Sequence, residues 1–144
     1  MKRFRFSLEK VLALRENNEK NWKLKLGEAV SKVNSVKREI KRIESSHREH
    51  FRDFNLAKEG LEYLQVTELF FKKMDDESRR LNEKLEELTI EREKIQKEYI
   101  KASNERKVIE KLKERRESEY YKEQMLSEIK EIDDLTTGSY GRAR

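Results

Sequence analysis

Residues 22–43 read WKLKLGEAVSKVNSVKREIKRI. Trp22, Leu26, Ala29, Val33, Val36, Ile40 and Ile43 recur there at alternating steps of four and three. In an α-helix such steps collect on one seam, and here Lys, Arg, Glu, Ser and Asn fill most of the remaining positions. The seam extends back through Glu19, Arg15 and Leu12 to Leu8, and forward through His47 and His50 to Phe54. Ten of these fourteen positions are apolar. A pattern held that long is the signature of a coiled coil, in which the stripe is buried against a second helix. At ~1.5 Å per residue this helix spans about 70 Å.

Composition agrees. Of 144 residues, 45% are charged and 34% hydrophobic, with no Pro and four Gly. A globular domain has roughly 25% charged and 45–50% apolar residues, so a large round core is not expected. Disorder of the whole chain is the competing reading of so much charge, but long blocks of one sign are missing and the apolar residues are periodic. The absence of Cys excludes disulfides and thiolate sites. The basic N-terminus has its apolar run broken by Glu9, Lys10 and Arg15, which does not fit a signal peptide, and no stretch approaches the ~20 apolar residues of a membrane span. A soluble, cytoplasmic chain is expected. The net charge of +5 is uneven: residues 1–50 hold 14 Lys and Arg against 7 Asp and Glu. The basic residues alternate with Glu along the helix and no nucleic-acid-reading motif is present, so nucleic acid is not an expected partner.

The seam fails at residues 55–67, NLAKEGLEYLQVT, and a second begins at Met74. It continues Ser78, Leu81, Leu85, Leu88, Arg92, Ile95, Tyr99, Ala102, Arg106 and Ile109. Two striped helices with a short connection fold back on each other. The predicted fold is therefore all-α: a long antiparallel two-helix coiled coil, a helical hairpin whose C-terminal helix overhangs. It forms one domain over 1–144, with helix 1 at 7–55, a turn region at 56–66, helix 2 at 67–135 and a flexible tail at 136–144. A parallel dimer of one very long helix is the rival, because heptads alone fix neither orientation nor partner. If Phe54 and Thr67 flank the turn, facing residues have numbers summing to about 121, because both helices rise equally. Leu8 then lies near Lys113, and residues 114–135 project by roughly 30 Å. That overhang keeps a stripe of Tyr121, Met125, Ile129 and Ile132 with no helix of this chain to cover it. Val11 and Leu14 lie off the first seam beside its base. An uncovered stripe next to a second apolar face reads as a docking surface; cover by residues 1–7 or by a dimer partner is the alternative.

Catalytic patterns are missing. The four Gly stand isolated at 27, 60, 138 and 141, so no phosphate-binding loop exists. His47 and His50 lie one helical turn apart, but a metal site needs further defined ligands, and both read as polar positions near the turn. A two-helix rod offers no cleft for a catalytic triad. No cofactor, metal or enzymatic activity is expected. Phe51, Phe54, Tyr63, Phe70 and Phe71 cluster around the turn, either as a small core capping the reversal or as a second contact patch.

The opening FRFSLEKVLALREN, residues 4–17, resembles the N-terminus of the FliJ family, and the closing ERRESEYY…EIKEIDDL is similar to that family's end. Chain length and the lack of Cys and Pro fit as well. The resemblance implies a non-enzymatic stalk of the bacterial flagellar type III export apparatus. Its partners would be the hexameric export ATPase FliI, which it stimulates, the export gate protein FlhA, and export chaperones. The chain would then sit peripherally at the cytoplasmic face of the inner membrane. On this reading Phe4, Phe6, Leu8, Val11, Leu12 and Leu14, with Arg115, Arg116, Tyr120, Tyr121, Met125, Ile129 and Ile132, form the tip that enters the ATPase ring. Phe51, Phe54, Tyr63, Phe70 and Phe71 form the surface for the export gate. The same architecture would also serve as the stalk of a virulence secretion system or a rotary ATPase, or as a self-associating structural coiled coil.

Overall fold

The computed structural model describes residues 2–53 and 56–142, with side chains except those of 56–59 and 139–142. Two helices account for nearly all of it: α1, Glu9–Asp53, and α2, Leu56–Arg142. They pack against each other in antiparallel fashion, and no strand occurs among the described residues. The contacts divide into two compact units, Asn21–Ile100 on the one hand and Met1–Lys20 with Lys101–Arg144 on the other.

In the unit Asn21–Ile100 the seam is apolar. Ala29, Val33, Val36, Ile40 and Ile43 of α1 are buried together with Met74 of α2, and Val33 retains only 1% of its accessible surface. Leu81, Leu85, Leu88, Ile95 and Tyr99 complete it as half-buried positions. Pairing is in the expected register within one residue: His47 Nε2 lies 3.9 Å from Asp75, and the Phe51 and Phe71 rings are 6.4 Å apart. Both pairs sum to 122. That register centres on residue 61, beside Gly60, whose φ of 74° and ψ of −173° break the helical path. Only glycine adopts that conformation readily.

The unit Met1–Lys20 with Lys101–Arg144 has a mixed seam. Leu12 and Ala102 are buried, and Leu8, Ile109 and Leu112 are half-buried. Between them run interhelical ion pairs: Arg15–Glu105 at 2.8 Å, Lys113–Glu9 at 2.9 Å and Arg106–Glu19 at 2.5 Å, with Glu110 also bound to Arg106. Arg15, Glu19 and Arg106 occupy seam positions, so the interruptions in the two apolar stripes are matched to one another across the pair.

Three boundaries differ from the sequence reading. Residues 56–59 and 61–66 are helical, so α2 begins at Leu56 with a break at Gly60 and not near Thr67. Between Leu61 and Val66 no residue breaks a helix, and only the apolar spacing that would have revealed it is missing. Residues 136–142 continue α2, where Thr136 Oγ1 donates to the Ile132 carbonyl at 2.8 Å; extending an existing helix needs no new nucleus. At the other end α1 starts at Glu9, and residues 2–6 are not helical.

Candidate partner-binding surfaces

Residues 2–7 form a strap across α2 rather than a first helical turn. Phe4 and Phe6, two positions apart, fall on one side of a non-helical segment. Phe6 is buried to 8%, 6.5 Å from the Phe4 ring and 5.9 Å beneath the Arg116 guanidinium. Phe4 meets Tyr120 at 5.6 Å, and the Tyr120 hydroxyl donates to the Lys2 carbonyl at 2.9 Å. Arg116 donates to Ser7 Oγ at 3.1 Å. Glu9, the acidic residue of the first turn of α1, suits the positive helix end and accepts from Lys113. That hydrogen bond holds the Lys113 ammonium above its ordinary range; Glu19 does the same for the Arg106 guanidinium.

The strap therefore covers α2 as far as Tyr120. The stretch 114–120, expected to project bare, is not overhang. Beyond it the expectation of an open stripe meets a clear geometry: from Met125 to Gly138 every residue of α2 is exposed. Tyr121, Met125, Ile129 and Ile132 share one arc of the helix, and each keeps 45% or more of its surface accessible. Leu135 prolongs that arc and Leu126 lies off it; both are exposed, and the sequence reading passed over both. The 3-4 spacing had carried Leu135 all along.

The remaining residues predicted for this surface are distributed unevenly. Leu14 is exposed, Leu8 and Val11 are half-buried, and Leu12 is buried in the seam. Phe6 and Leu12 thus hold the surface together instead of presenting themselves on it. Arg115 is exposed and paired with Glu119 at 3.4 Å, whereas Arg116 is committed to the strap. Cover by the N-terminal residues, the alternative raised from sequence, is therefore what is found as far as Tyr120, with Phe4 and Phe6 as its aromatic clamp.

Around the turn a second cluster forms within the other unit. The Phe71 ring lies tilted against His47 at 4.8 Å, and Phe70 lies nearly parallel to His50 at 4.4 Å. Phe70 and Phe71 meet edge to face at 6.0 Å. Phe51 is 67% exposed, Tyr63 is half-buried, and Phe54 lies outside the described residues. A groove of about 600 Å³ runs between His47, Phe51, Leu64, Thr67 and Phe71. The two histidines thus work as ring partners, a role that charge-based reasoning had not given them. His50 Nδ1 lies 3.0 Å from the Ser46 carbonyl, and no cluster of three or more metal-binding side chains occurs among the described residues. Leu61, Val66 and Leu69 add exposed apolar surface nearby.

These features define the class: an all-α, two-helix coiled-coil protein that presents side-chain stripes and an aromatic groove. No helix among the described residues is long and apolar enough to cross a membrane. The chain belongs to the FliJ family, described as flagellar FliJ protein, which matches residues 4–144. It is a component of the flagellar protein export apparatus. No curated protein and no solved structure matches the chain.

Proposed function

We propose that the chain is the stalk of the export apparatus. It inserts the strapped and overhanging part of α2 into the ring of the export ATPase FliI and stimulates hydrolysis there. The uncovered stripe of Tyr121, Met125, Ile129 and Ile132 is the observation that carries this reading. A soluble helix leaves such a stripe bare at a cost, and contact with a partner is the usual return. Apolar contacts suit a stalk because they do not demand one fixed register, while Arg115, Lys2, Arg3 and Arg5 meet acidic groups of a channel. A rod with unlike faces cannot touch all subunits of a ring alike. It therefore biases them toward different states by differential contact and supplies no chemistry of its own. The aromatic groove around Phe51 and Phe71 serves the export gate protein FlhA, export chaperones act through the same rod, and the chain resides peripherally at the cytoplasmic face of the membrane.

The test is ATP hydrolysis by the partner ATPase with added wild-type chain or the Met125→Asp/Ile129→Asp variant. Both positions are solvent-facing, so helicity and melting should stay unchanged. Burying each side chain in a ring is worth about 1.5–3 kcal/mol, so the double variant should lose affinity by roughly 100-fold or more. Stimulation equal to wild type at equal concentration refutes the stripe as the contact. In the same assay Phe51→Asp leaves stimulation intact and weakens capture of the export gate protein.

A further inference from the structure

We propose that the outward face of α1 between Arg38 and Arg52 rests directly on an anionic lipid surface. Over those fifteen residues the arc turned away from the Val33–Ile43 seam, roughly 120° wide, holds Arg38, Lys41, Arg42, Ser45, Arg48, Glu49 and Arg52. That is five cations against one anion, on a line about 21 Å long. All are exposed, and none of the five cations makes an ion pair with any described residue. Elsewhere the chain interleaves its charges and pairs several of them: Arg79 with Asp76, Arg115 with Glu119, and Arg106 with Glu19 and Glu110. What sets this face apart is that five cations share it with a single anion. Four of the five cations are Arg, whose planar fork suits phosphate oxygens better than Lys does.

Three kinds of polyanion compete for such a stripe, and its shape decides among them. Protein hot spots, Arg ones included, sit in pockets ringed by side chains that exclude water, and this arc has no apolar or aromatic side chain to ring its guanidinium groups. A nucleic-acid duplex engages a helix from the two walls of a groove, so it favours cations on both flanks of the helix over a single outward arc. Lipid headgroups are coplanar and move sideways beneath each guanidinium, so they require only charge of the right sign along a straight edge. Charges farther from the surface than about 10 Å, such as those on the outer side of α2, are screened at ordinary salt. The inference does not use the ATPase-binding stripe or the family match.

The experiment is co-sedimentation of the full chain with phosphatidylcholine vesicles, with or without about one third phosphatidylglycerol, over a series of salt concentrations. Binding should require phosphatidylglycerol and fall steeply with salt. The variant Arg38→Gln/Arg42→Gln/Arg48→Gln should bind on the order of 100-fold more weakly, at about fivefold per cation, with its circular dichroism unchanged. Lys2→Gln/Arg3→Gln/Arg5→Gln, altered in the strap, should retain most of the binding. The inference is overturned if the α1 variant sediments like wild type or if the strap variant alone loses binding. It is likewise overturned if wild type ignores the anionic vesicles, or if duplex RNA displaces it from them at matched phosphate concentration.

Discussion

Phe6→Ala separates the strap from the hairpin that carries it. Phe6 is the one buried side chain of the strap, and replacing a buried Phe by Ala costs about 3–5 kcal/mol. What remains to hold the strap is modest. The hydrogen bonds Arg116–Ser7 at 3.1 Å and Tyr120–Lys2 at 2.9 Å contribute about 1 kcal/mol each. The Phe4–Tyr120 ring pair at 5.6 Å adds about 1 kcal/mol more. Keeping residues ordered costs ~1–2 kcal/mol apiece, so without Phe6 the strap should detach. The loss to the whole molecule cannot exceed what the docked strap supplied, because the α1–α2 seam persists without it. Val33→Ala is the comparison: at 1% exposure it sits in the seam itself. Removing its two methyl groups should cost about 2 kcal/mol and lower the melting temperature by roughly 5 °C. Amide hydrogen exchange read by mass spectrometry should show residues 2–10 and 113–124 opening in Phe6→Ala alone, with melting lowered less than in Val33→Ala. Unchanged exchange in those segments, with melting lowered as much as by Val33→Ala, would refute the strap as a separable element.

Two glycines should respond in opposite directions to alanine. Gly27 lies within α1 with nothing within 4 Å of an added Cβ, so Gly27→Ala should stabilise by about 0.5–1 kcal/mol in urea denaturation. Gly60 has equal space but a φ of +74°, and Gly60→Ala should cost about 1–3 kcal/mol in the same experiment. In the charged seam, Arg106→Leu leaves Glu19, 20% exposed, facing an apolar neighbour, and melting should fall. The double variant Glu19→Leu/Arg106→Leu should recover it or exceed wild type, since apolar replacement of both partners removes the desolvation cost; a double variant less stable than the single one would show the pair to be net stabilising.

The seam was legible because its signal is redundant. Every predicted α2 position from Met74 to Ile109 is buried or half-buried, and with equal rise in both helices the register followed from placing the turn within a few residues. Single residues without such redundancy were not legible. Gly60 fell inside the turn region expected at 56–66, but that the helical path breaks at this residue is a property of its backbone, which no spacing encodes. Phe4 and Phe6 were assigned to the partner surface ahead of helix 1, because a heptad search has no place for a two-residue period. Leu12 was counted twice, once for the seam and once for the partner surface, and burial leaves it only the first. His47 and His50 were weighed as metal ligands and read as polar positions near the turn, but their rings face Phe71 and Phe70, which becomes visible only once the register brings those aromatics opposite.

The charged seam positions gain their meaning from that register. An apolar seam of Val, Ile and Leu tolerates a slip of one heptad, because the next layer offers similar side chains. Arg106 and Glu19 do not. A slip of one heptad in one direction sets Arg106 against Leu12 and Glu19 against Tyr99; a slip in the other sets them against Leu26 and Lys113. Either breaks the Arg106–Glu19 pair and leaves the Arg106 guanidinium facing an apolar side chain, which the observed register avoids. In the observed register Arg15–Glu105, Arg106–Glu19 and Lys113–Glu9 all form together. Each heptad of slip would also change by about 10 Å the length of α2 left uncovered beyond the strap. The polar interruptions that weaken the coiled-coil pattern are thus what fixes where the cover ends, and with it which apolar residues of α2 remain open to a partner.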